Sequence, residues 1–214
     1  MKKILVRDPI SKKNLESLGI EKHIQVVSDS AFWLEARDFQ EEKKPYHSPY
    51  YLISLRAWPG IDTKLLTEHI NTLIKNLPGT PVFISMQKDD EKIFHQLNNK
   101  NIQCISPKNL NELWTLFSHA QCIIGMRLHA CILATTMQKP LLAIAYDDKV
   151  KNLLQTENPA ALTLDPHLDL LFPEDLPEKL QNFFSASNPQ LKAKTHKAEI
   201  NIFTKMLTKN LKSI

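Results

Sequence analysis

Glycine is scarce in this chain, with 4 among 214 residues. An average glycine content of about 7% would give roughly 15 in a chain of this length. Neither G-x-G-x-x-G nor G-x-x-x-x-G-K-[ST] occurs in the sequence. Both loops depend on glycines that let the backbone approach phosphate groups closely. The chain therefore lacks the standard sequence signatures of dinucleotide-binding and P-loop proteins.

Cysteine and long apolar runs are also scarce. Cys104, Cys122 and Cys131 lie in apolar contexts and form no C-x-x-C pair, which predicts reduced, buried thiols. The histidines show no zinc-ligand spacing with cysteines or carboxylates, so we predict no metal site. No apolar run approaches the roughly 18 residues of a membrane span, and the N-terminus lacks a signal peptide. We expect a cytoplasmic protein without a transmembrane segment.

The overall composition is that of a globular protein, with 43% hydrophobic and 23% charged residues. A chain of this length suits one α/β domain with appendages. The formal net charge of +4 is mildly basic. This charge is well short of a nucleic-acid-binding signature, so we predict no nucleic-acid partner.

Short apolar runs alternate with amphipathic helical patterns between residues 50 and 158. Strands are predicted at residues 50–55, 81–85, 102–105, 121–124 and 141–145, and helices at 62–77, 90–98, 109–119, 127–138 and 147–155. Uninterrupted apolar strands between helices are typical of a parallel sheet that is covered on both faces. The pattern predicts an α/β fold with a Rossmann-like parallel sheet and flanking helices. Ligands of such sheets bind beyond the carboxyl ends of the strands.

The two ends of the chain are less regular. Residues 4–6 and 24–27 are predicted strands, on either side of a helix that Ser11 caps and Gly19 ends, before a polar linker at 36–49. Helices are predicted at residues 174–184 and 189–212, the second with a lysine-rich face. We favour a solvated lysine face over membrane-surface or RNA binding. The predicted domains are residues 1–49, 50–158 and 159–214, the last a helical tail.

The stretch from Cys122 to Cys131 carries the strongest chemical signal. A short strand is followed by Gly125, predicted to make a tight turn, and then by Arg127 and His129 as a helix begins. A strand, a turn and a helix start form a ready anion site. Arginine is permanently charged and histidine titrates near neutral pH. The stretch therefore predicts a substrate that bears a phosphate or carboxylate group.

Three arginines follow predicted strands in the same way. Arg7, Arg56 and Arg127 each come just after an apolar run, and a guanidinium offers a fixed fork of donors to carboxylate or phosphate oxygens. Asp147 has the same placement and either caps the next helix or contacts a ligand hydroxyl. The alternatives stay open: ion-paired surface arginines, and for His129 a structural histidine at a helix start.

Four motifs together resemble the polysaccharide pyruvyl transferases. They are V-R-D-x-x-S at 6–11, S-L-R-x-W at 54–58, I-G-M-R-L-H-A at 124–130 and Y-D-D-K-V at 146–150. The third is the most specific of the four. The resemblance covers about residues 4–155.

The resemblance implies one lobe of a two-lobed GT-B-like fold. It also implies transfer of the enolpyruvyl unit of phosphoenolpyruvate to two sugar hydroxyls, giving a pyruvate ketal in cell-surface polysaccharide synthesis. Carried over, the catalytic residues are His129, as acid or base, and Arg127. The donor-binding residues implied are Arg7, Arg56, Gly125, Arg127, Leu128 and Asp147. No metal or bound cofactor is implied, and the partners are phosphoenolpyruvate and a sugar or polysaccharide acceptor.

Members of the family are longer chains whose first lobe carries a glycine-rich turn near the N-terminus. This sequence resembles the end of that lobe and the C-terminal, donor-side lobe. We therefore expect a homodimer or a separate subunit to supply the rest of the enzyme. Two other interpretations remain open. One is a GT-B glycosyltransferase lobe that binds a nucleotide-sugar. The other is a non-catalytic interaction protein derived from such a lobe.

Overall fold

A computed structural model describes residues 3–20, 23–40 and 43–164. The chain divides into two compact units, one with the described residues up to Ala36 and the other with those from Arg37 onward. The helices predicted at 174–184 and 189–212, with the rest of the tail, lie outside the described residues. The predicted division at residues 49 and 158 stays a prediction.

The first unit contains a two-stranded parallel sheet. Strand β1 (Ile4–Val6) pairs with β2 (Ile24–Val26), and helix α1 (Pro9–Ser17) connects them. The side chain of Asp8 caps α1 by accepting the Ser11 backbone N–H at 2.7 Å. The prediction that Ser11 caps this helix is therefore wrong. Ser11 instead lies in the first turn and donates its hydroxyl to the Asp8 carboxylate at 2.8 Å.

The second unit is built on a six-stranded sheet. Its strands are β3 (Tyr50–Ser54), β4 (Thr80–Ile84), β5 (Gln103–Ile105), β6 (Ile123–Gly125), β7 (Leu141–Ile144) and β8 (Leu162–Leu164). All pairings are parallel, in the order β5-β4-β3-β6-β7-β8. This confirms the predicted Rossmann-like parallel sheet. Strand β8 was not predicted, because it has three residues and exposes Thr163.

Five α-helices in the described part of this unit flank the sheet. They are α2 (Thr63–Asn76), α3 (Asp90–Leu97), α4 (Leu110–His119), α5 (Leu128–Thr136) and α6 (Asp148–Glu157). Asp62, Asn109 and Asp147 cap α2, α4 and α6 through their side chains. A side-chain oxygen at this position satisfies backbone N–H groups that have no partner inside the helix.

The core of the second unit lies along its central strands. Every residue of β3, β6 and β7 is buried, as are seven of the nine residues of α5. Two residues of the segment predicted as a linker (36–49) contact α4 and β5 of this unit. Phe39 stacks on Trp114 with ring centroids 4.2 Å apart, and the Tyr46 hydroxyl donates to Gln103 at 2.9 Å.

The strand order places a topological switch between β3 and β6. From β3 the chain adds β4 and β5 on one side and then returns to add β6, β7 and β8 on the other. Connections therefore leave the carboxyl ends of β3 and β6 in opposite directions, which opens a crevice between them. In open α/β sheets, ligands bind in this crevice.

Candidate functional site

Two of the predicted arginines lie at equivalent positions beside the switch. Ser54 at the end of β3 pairs with Gly125 at the end of β6. Arg56 and Arg127 each come two residues after this pair. The register therefore brings both arginines to the carboxyl edge of neighbouring strands, as the sequence indicated.

Arg127 is buried and fully engaged by other side chains. It is 8% exposed. Its Nε lies 3.0 and 3.1 Å from the two carboxylate oxygens of Asp90, its Nη2 also donates to Asp90, and its Nη1 donates to Gln87 Oε1 at 2.6 Å. The guanidinium thus has its charge balanced by a carboxylate from the start of α3.

Asp90 is a site residue that sequence analysis missed. It is 1% exposed, and its Oδ2 accepts the backbone N–H groups of Met86 and Gln87, each at 3.1 Å. The carboxylate therefore ties the end of β4 to Arg127 at the end of β6, across β3. The one available signal was an acidic residue in the first turn of α3, and nothing in the sequence links it to Arg127.

Gly125 serves close packing. It is the last residue of β6, and the glycines with positive φ are Gly19, Gly60 and Gly79. A Cβ at position 125 would lie 3.3 Å from both Cys131 Sγ and Leu141 Cδ1. Glycine at position 125 was predicted to allow a tight turn. The structure instead shows that glycine is needed there because Cys131 of α5 and Leu141 of β7 lie close to the end of β6.

Leu128 and His129 are the first two residues of α5. Leu128 is buried, whereas His129 is exposed. The helix begins at Arg127 without a side-chain cap and has no acidic residue in its first turn. Each of the other described helices has a side-chain cap or a first-turn carboxylate. The first turn of α5 therefore has no capping or acidic side chain of its own that offsets the positive end of the helix dipole.

Arg56 lies in an aromatic setting. Its guanidinium carbon is 4.7 Å from the Trp58 ring centroid and 5.6 Å from that of Tyr146. Its Nη1 donates to the Tyr146 hydroxyl at 3.3 Å, while its Nε is buried and has no hydrogen-bond partner within the part of the chain that the structure describes. Tyr146 follows β7, so the Arg56–Tyr146 contact passes over the end of β6, where α5 begins.

Asp147 and Lys149 complete this cluster. Asp147 Oδ1 caps α6 by accepting the Lys149 backbone N–H at 2.9 Å, and Oδ2 lies 3.2 Å from Lys149 Nζ. Burial raises the pKa of Asp147, but hydrogen bonds from Lys149 and the charges of Lys149 and Arg56 outweigh it and lower the pKa. Of the two alternatives predicted for Asp147, the structure shows the first, in which its side chain caps α6.

Arg7 lies in the first unit, after β1 of the two-stranded sheet. Its Nη1 is 3.3 Å from Asp29 Oδ2, its Nε is 3.8 Å from Asp8 Oδ2, and its side chain is 44% exposed. Arg7 therefore does not share a sheet with Arg56 and Arg127. Its contacts are those of the ion-pair alternative, and its role toward a donor stays a prediction.

Membrane-spanning helices and metal clusters are both absent from residues 3–20, 23–40 and 43–164. No helix there combines the length and apolar character needed to cross a bilayer. The same residues contain no group of three or more His, Cys, Asp or Glu side chains placed to hold a metal ion.

Comparison with known proteins gives a family and a fold. A family profile described as "Polysaccharide pyruvyl transferase" matches residues 2–148. Among curated proteins there is no significant match. The chain resembles the solved structure of Methanocaldococcus jannaschii UDP-GlcNAc 2-epimerase in complex with UDP-GlcNAc and UDP. That match has a TM-score of 0.64 at 18% identity and covers 94% of this chain and 60% of that one.

A second structural match is an α,α-trehalose-phosphate synthase (UDP-forming) from Burkholderia vietnamiensis. It has a TM-score of 0.50 at 12% identity, over 99% of this chain and 62% of that one. At such identities the likeness concerns the fold. The chain spans about three fifths of the length of both structures.

Proposed function

Because this chain belongs to the polysaccharide pyruvyl transferase family, we propose that the crevice between β3 and β6 binds phosphoenolpyruvate. The chain then takes part in transferring the enolpyruvyl unit to hydroxyl groups of a sugar or polysaccharide, as an enzyme of the cytoplasm. The chain spans about three fifths of the length of the similar structures. The proposal keeps a second copy of the chain or a separate subunit as a partner.

The observation that carries the proposal is the state of Arg56. Its guanidinium lies beside the switch point, and its Nε is buried with no hydrogen-bond partner among residues 3–20, 23–40 and 43–164. A buried donor without an acceptor costs about 1–3 kcal/mol, and more when it is charged. An anionic oxygen in the crevice removes this cost. The neighbouring start of α5, which lacks a cap and a first-turn carboxylate, favours the same kind of ligand.

The chemistry of the proposed reaction fits the residue types. A proton is added to the methylene carbon of phosphoenolpyruvate, which leaves an oxocarbenium-like centre at the carbon that bears the phosphate. One sugar hydroxyl attacks this centre, and a second hydroxyl displaces phosphate to close the ketal. We assign the proton transfers to His129, which is exposed on the first turn of α5. Arg56 holds the anionic donor and stabilises the departing phosphate.

For Arg127 the contacts support a positioning role. We expected it to bind the donor, but its guanidinium is engaged by Asp90 and Gln87. It is also the residue from which α5 begins. In this proposal Arg127 sets the direction of the first turn of α5 and thereby positions His129. The backbone of Gly125 and Leu128 lines the crevice.

Binding of the donor tests this proposal. We expect phosphoenolpyruvate to raise the melting temperature of the purified chain, because a ligand that binds the folded state stabilises it. Arg56→Ala should weaken the affinity, measured by calorimetry, at least about tenfold, as expected for one charged hydrogen-bonding group. Arg37→Ala, which removes an exposed arginine of the short 3-10 helix Ala36–Asp38, is the control and should leave the affinity unchanged.

UDP is the decisive comparison ligand, since a structurally similar epimerase is seen in complex with UDP-GlcNAc and UDP. Stabilisation by UDP and not by phosphoenolpyruvate would replace the proposal with nucleotide-sugar binding. No response to either ligand would favour the non-catalytic interaction protein.

A further inference from the structure

Gln87 lies at the carboxyl edge of the sheet, on the other side of β3 from Arg56's contacts. It comes three residues after Ile84, the last residue of β4, and it is exposed. The Arg56 guanidinium passes over the end of β6 to reach Tyr146 after β7, whereas β4 pairs with β3 on its opposite side. The two side chains therefore stand at opposite sides of the crevice.

All polar groups of Gln87 except its side-chain NH2 are engaged within the chain. Its backbone N–H donates to Asp90 Oδ2 at 3.1 Å, and its carbonyl accepts the Ser85 hydroxyl at 3.0 Å and the Asp90 N–H at 2.9 Å. Its Oε1 accepts Arg127 Nη1 at 2.6 Å. None of the described residues accepts a hydrogen bond from the NH2 group.

The orientation of this amide follows from the chemistry of its partner. A guanidinium has donors only, so the amide oxygen must face Arg127 and the NH2 group must point away from it. Arg127 is in turn held by both carboxylate oxygens of buried Asp90. The exposed amide therefore presents its two N–H donors in a fixed direction. A group that is ordered before binding loses little freedom when a ligand arrives.

The two sides of the crevice also differ in charge. Arg56 brings a positive charge to the β7 side. On the β4 side the charge of Arg127 is balanced by Asp90, which is 1% exposed, and the donor that this pair holds in place is the neutral amide of Gln87. One side thus offers a cation and the other a neutral hydrogen-bond donor.

Phosphoenolpyruvate needs two such different contacts. Its phosphate departs, and a cation stabilises the charge that develops there. Its carboxylate is bonded to the carbon that becomes the oxocarbenium-like centre, so the negative charge of the carboxylate stabilises that centre. A cation on the carboxylate would oppose this effect, whereas a neutral N–H donor holds the carboxylate and leaves its charge in place.

We propose that Gln87 binds the carboxylate of phosphoenolpyruvate through its side-chain NH2, while Arg56 binds the phosphate. This inference rests on the proposed function and assigns the second anionic group of the same donor. Asp90 and Arg127 act here as positioning residues, because they fix the amide without contacting the ligand.

The first measurement is the affinity for phosphoenolpyruvate by titration calorimetry. Gln87→Met should weaken binding about tenfold, as expected for a hydrogen bond to a charged group. Gln87→Glu should weaken it at least as much, although glutamate keeps an oxygen for Arg127 Nη1. If Gln87 served only to hold Arg127, Gln87→Glu would bind as the wild type does, and this result would overturn the proposal.

Gln96 provides a matched control, since it is an exposed glutamine of α3, six residues after Asp90. Gln96→Met and Gln96→Glu make the same chemical changes and should match the wild type within about twofold. Lys88→Met removes the exposed cation next to Gln87 and should do the same. A larger loss in Lys88→Met than in Gln87→Met would place the carboxylate on the lysine and overturn the proposal.

The second measurement locates the contact on the ligand. Inorganic phosphate carries one of the two anionic groups without the other, and its affinity is measured by displacement of phosphoenolpyruvate. Gln87→Met should leave this affinity within about twofold of the wild type, whereas Arg56→Ala should weaken it. Equal losses for both ligands in Gln87→Met would show that Gln87 contacts the phosphate, which contradicts the assignment to the carboxylate.

The outcomes separate this inference from the function on which it rests. If the wild-type chain does not bind phosphoenolpyruvate, both are rejected. If it binds, Arg56→Ala loses binding and Gln87→Met behaves as Gln96→Met does, then only the role of Gln87 is rejected.

Discussion

Arg56 and Arg127 occupy equivalent positions after two neighbouring strands, but their surroundings differ in every respect that matters for ligand binding. Arg127 is buried against Asp90 and Gln87. Arg56 is half-buried over two aromatic rings, and none of the described residues accepts a hydrogen bond from its Nε. The comparison teaches that placement at a strand end brings an arginine to the crevice without deciding whether it is available there. An arginine at a strand end is available to a ligand only where no carboxylate from another element already pairs with its guanidinium.

The largest expected effect concerns the buried pair. Arg127→Met leaves Asp90 as a buried charge without its cation, and loss of one partner of such a pair costs about 3–5 kcal/mol. We expect this decrease in the free energy of unfolding, measured by urea denaturation. If Arg127→Met has no larger effect on unfolding than Arg56→Met, the proposed contrast between the two arginines is wrong.

Two variants serve as controls for that result. Arg7→Met removes an exposed ion pair with Asp29 and should change stability by no more than about 1 kcal/mol. The double variant Arg127→Met/Asp90→Asn should recover part of the loss, because asparagine removes the buried charge and keeps a side-chain oxygen for the Met86 and Gln87 backbone N–H groups.

The next largest effect concerns Gly125 and Ser54, the paired strand residues that lie two positions before Arg127 and Arg56. Gly125→Ala adds a Cβ 3.3 Å from Cys131 Sγ and Leu141 Cδ1, and overpacking of this kind costs about 1–3 kcal/mol. Ser54, its partner on β3, already carries a buried side chain. Ser54→Ala should change the free energy of unfolding by less than Gly125→Ala.

Adding Cys131→Ala to Gly125→Ala makes room for the new methyl group. The double variant should therefore be less destabilised than the sum of the two single variants. Additive losses would show that the new methyl group is obstructed by Leu141 Cδ1 and not by Cys131 Sγ.

Much of the fold could be predicted from the sequence. Leu141–Ile144 is apolar throughout, and Tyr50–Ser54 is hydrophobic up to its last residue, as is typical of strands buried on both faces. Leu162–Leu164 was missed because a three-residue strand with an exposed Thr163 lacks that signal. The strand order is a property of long-range pairing, which no local pattern records.

The residue types of the candidate site could be predicted from the sequence, but the side chains that each of them contacts could not. Arg56 and Arg127 were placed correctly at strand ends because each follows an apolar run. Asp90 was missed, since its contact with Arg127 depends on the order β4-β3-β6. Arg7 has the same sequence pattern as Arg56 but lies in a separate two-stranded sheet. Patterns along the chain identify strand ends, and only pairing tells which ends share a crevice.

The smallest expected effect sharpens the comparison through the carboxylates, since Asp147 pairs with Lys149 and is influenced by the charge of Arg56, whereas Asp90 contacts Arg127 directly. The pKa of Asp147 is lowered in the folded protein, so its carboxylate adds stability above its unfolded pKa of about 3.9. This stability is lost as the pH falls through the lower, folded pKa. Wild type should therefore lose more stability than Asp147→Asn between about pH 6 and pH 3, by less than about 1 kcal/mol. Unfolding measured across this range checks the difference, which 1 M salt should reduce because the group is partly exposed; equal losses in both proteins would show that Lys149 and Arg56 do not stabilise the carboxylate.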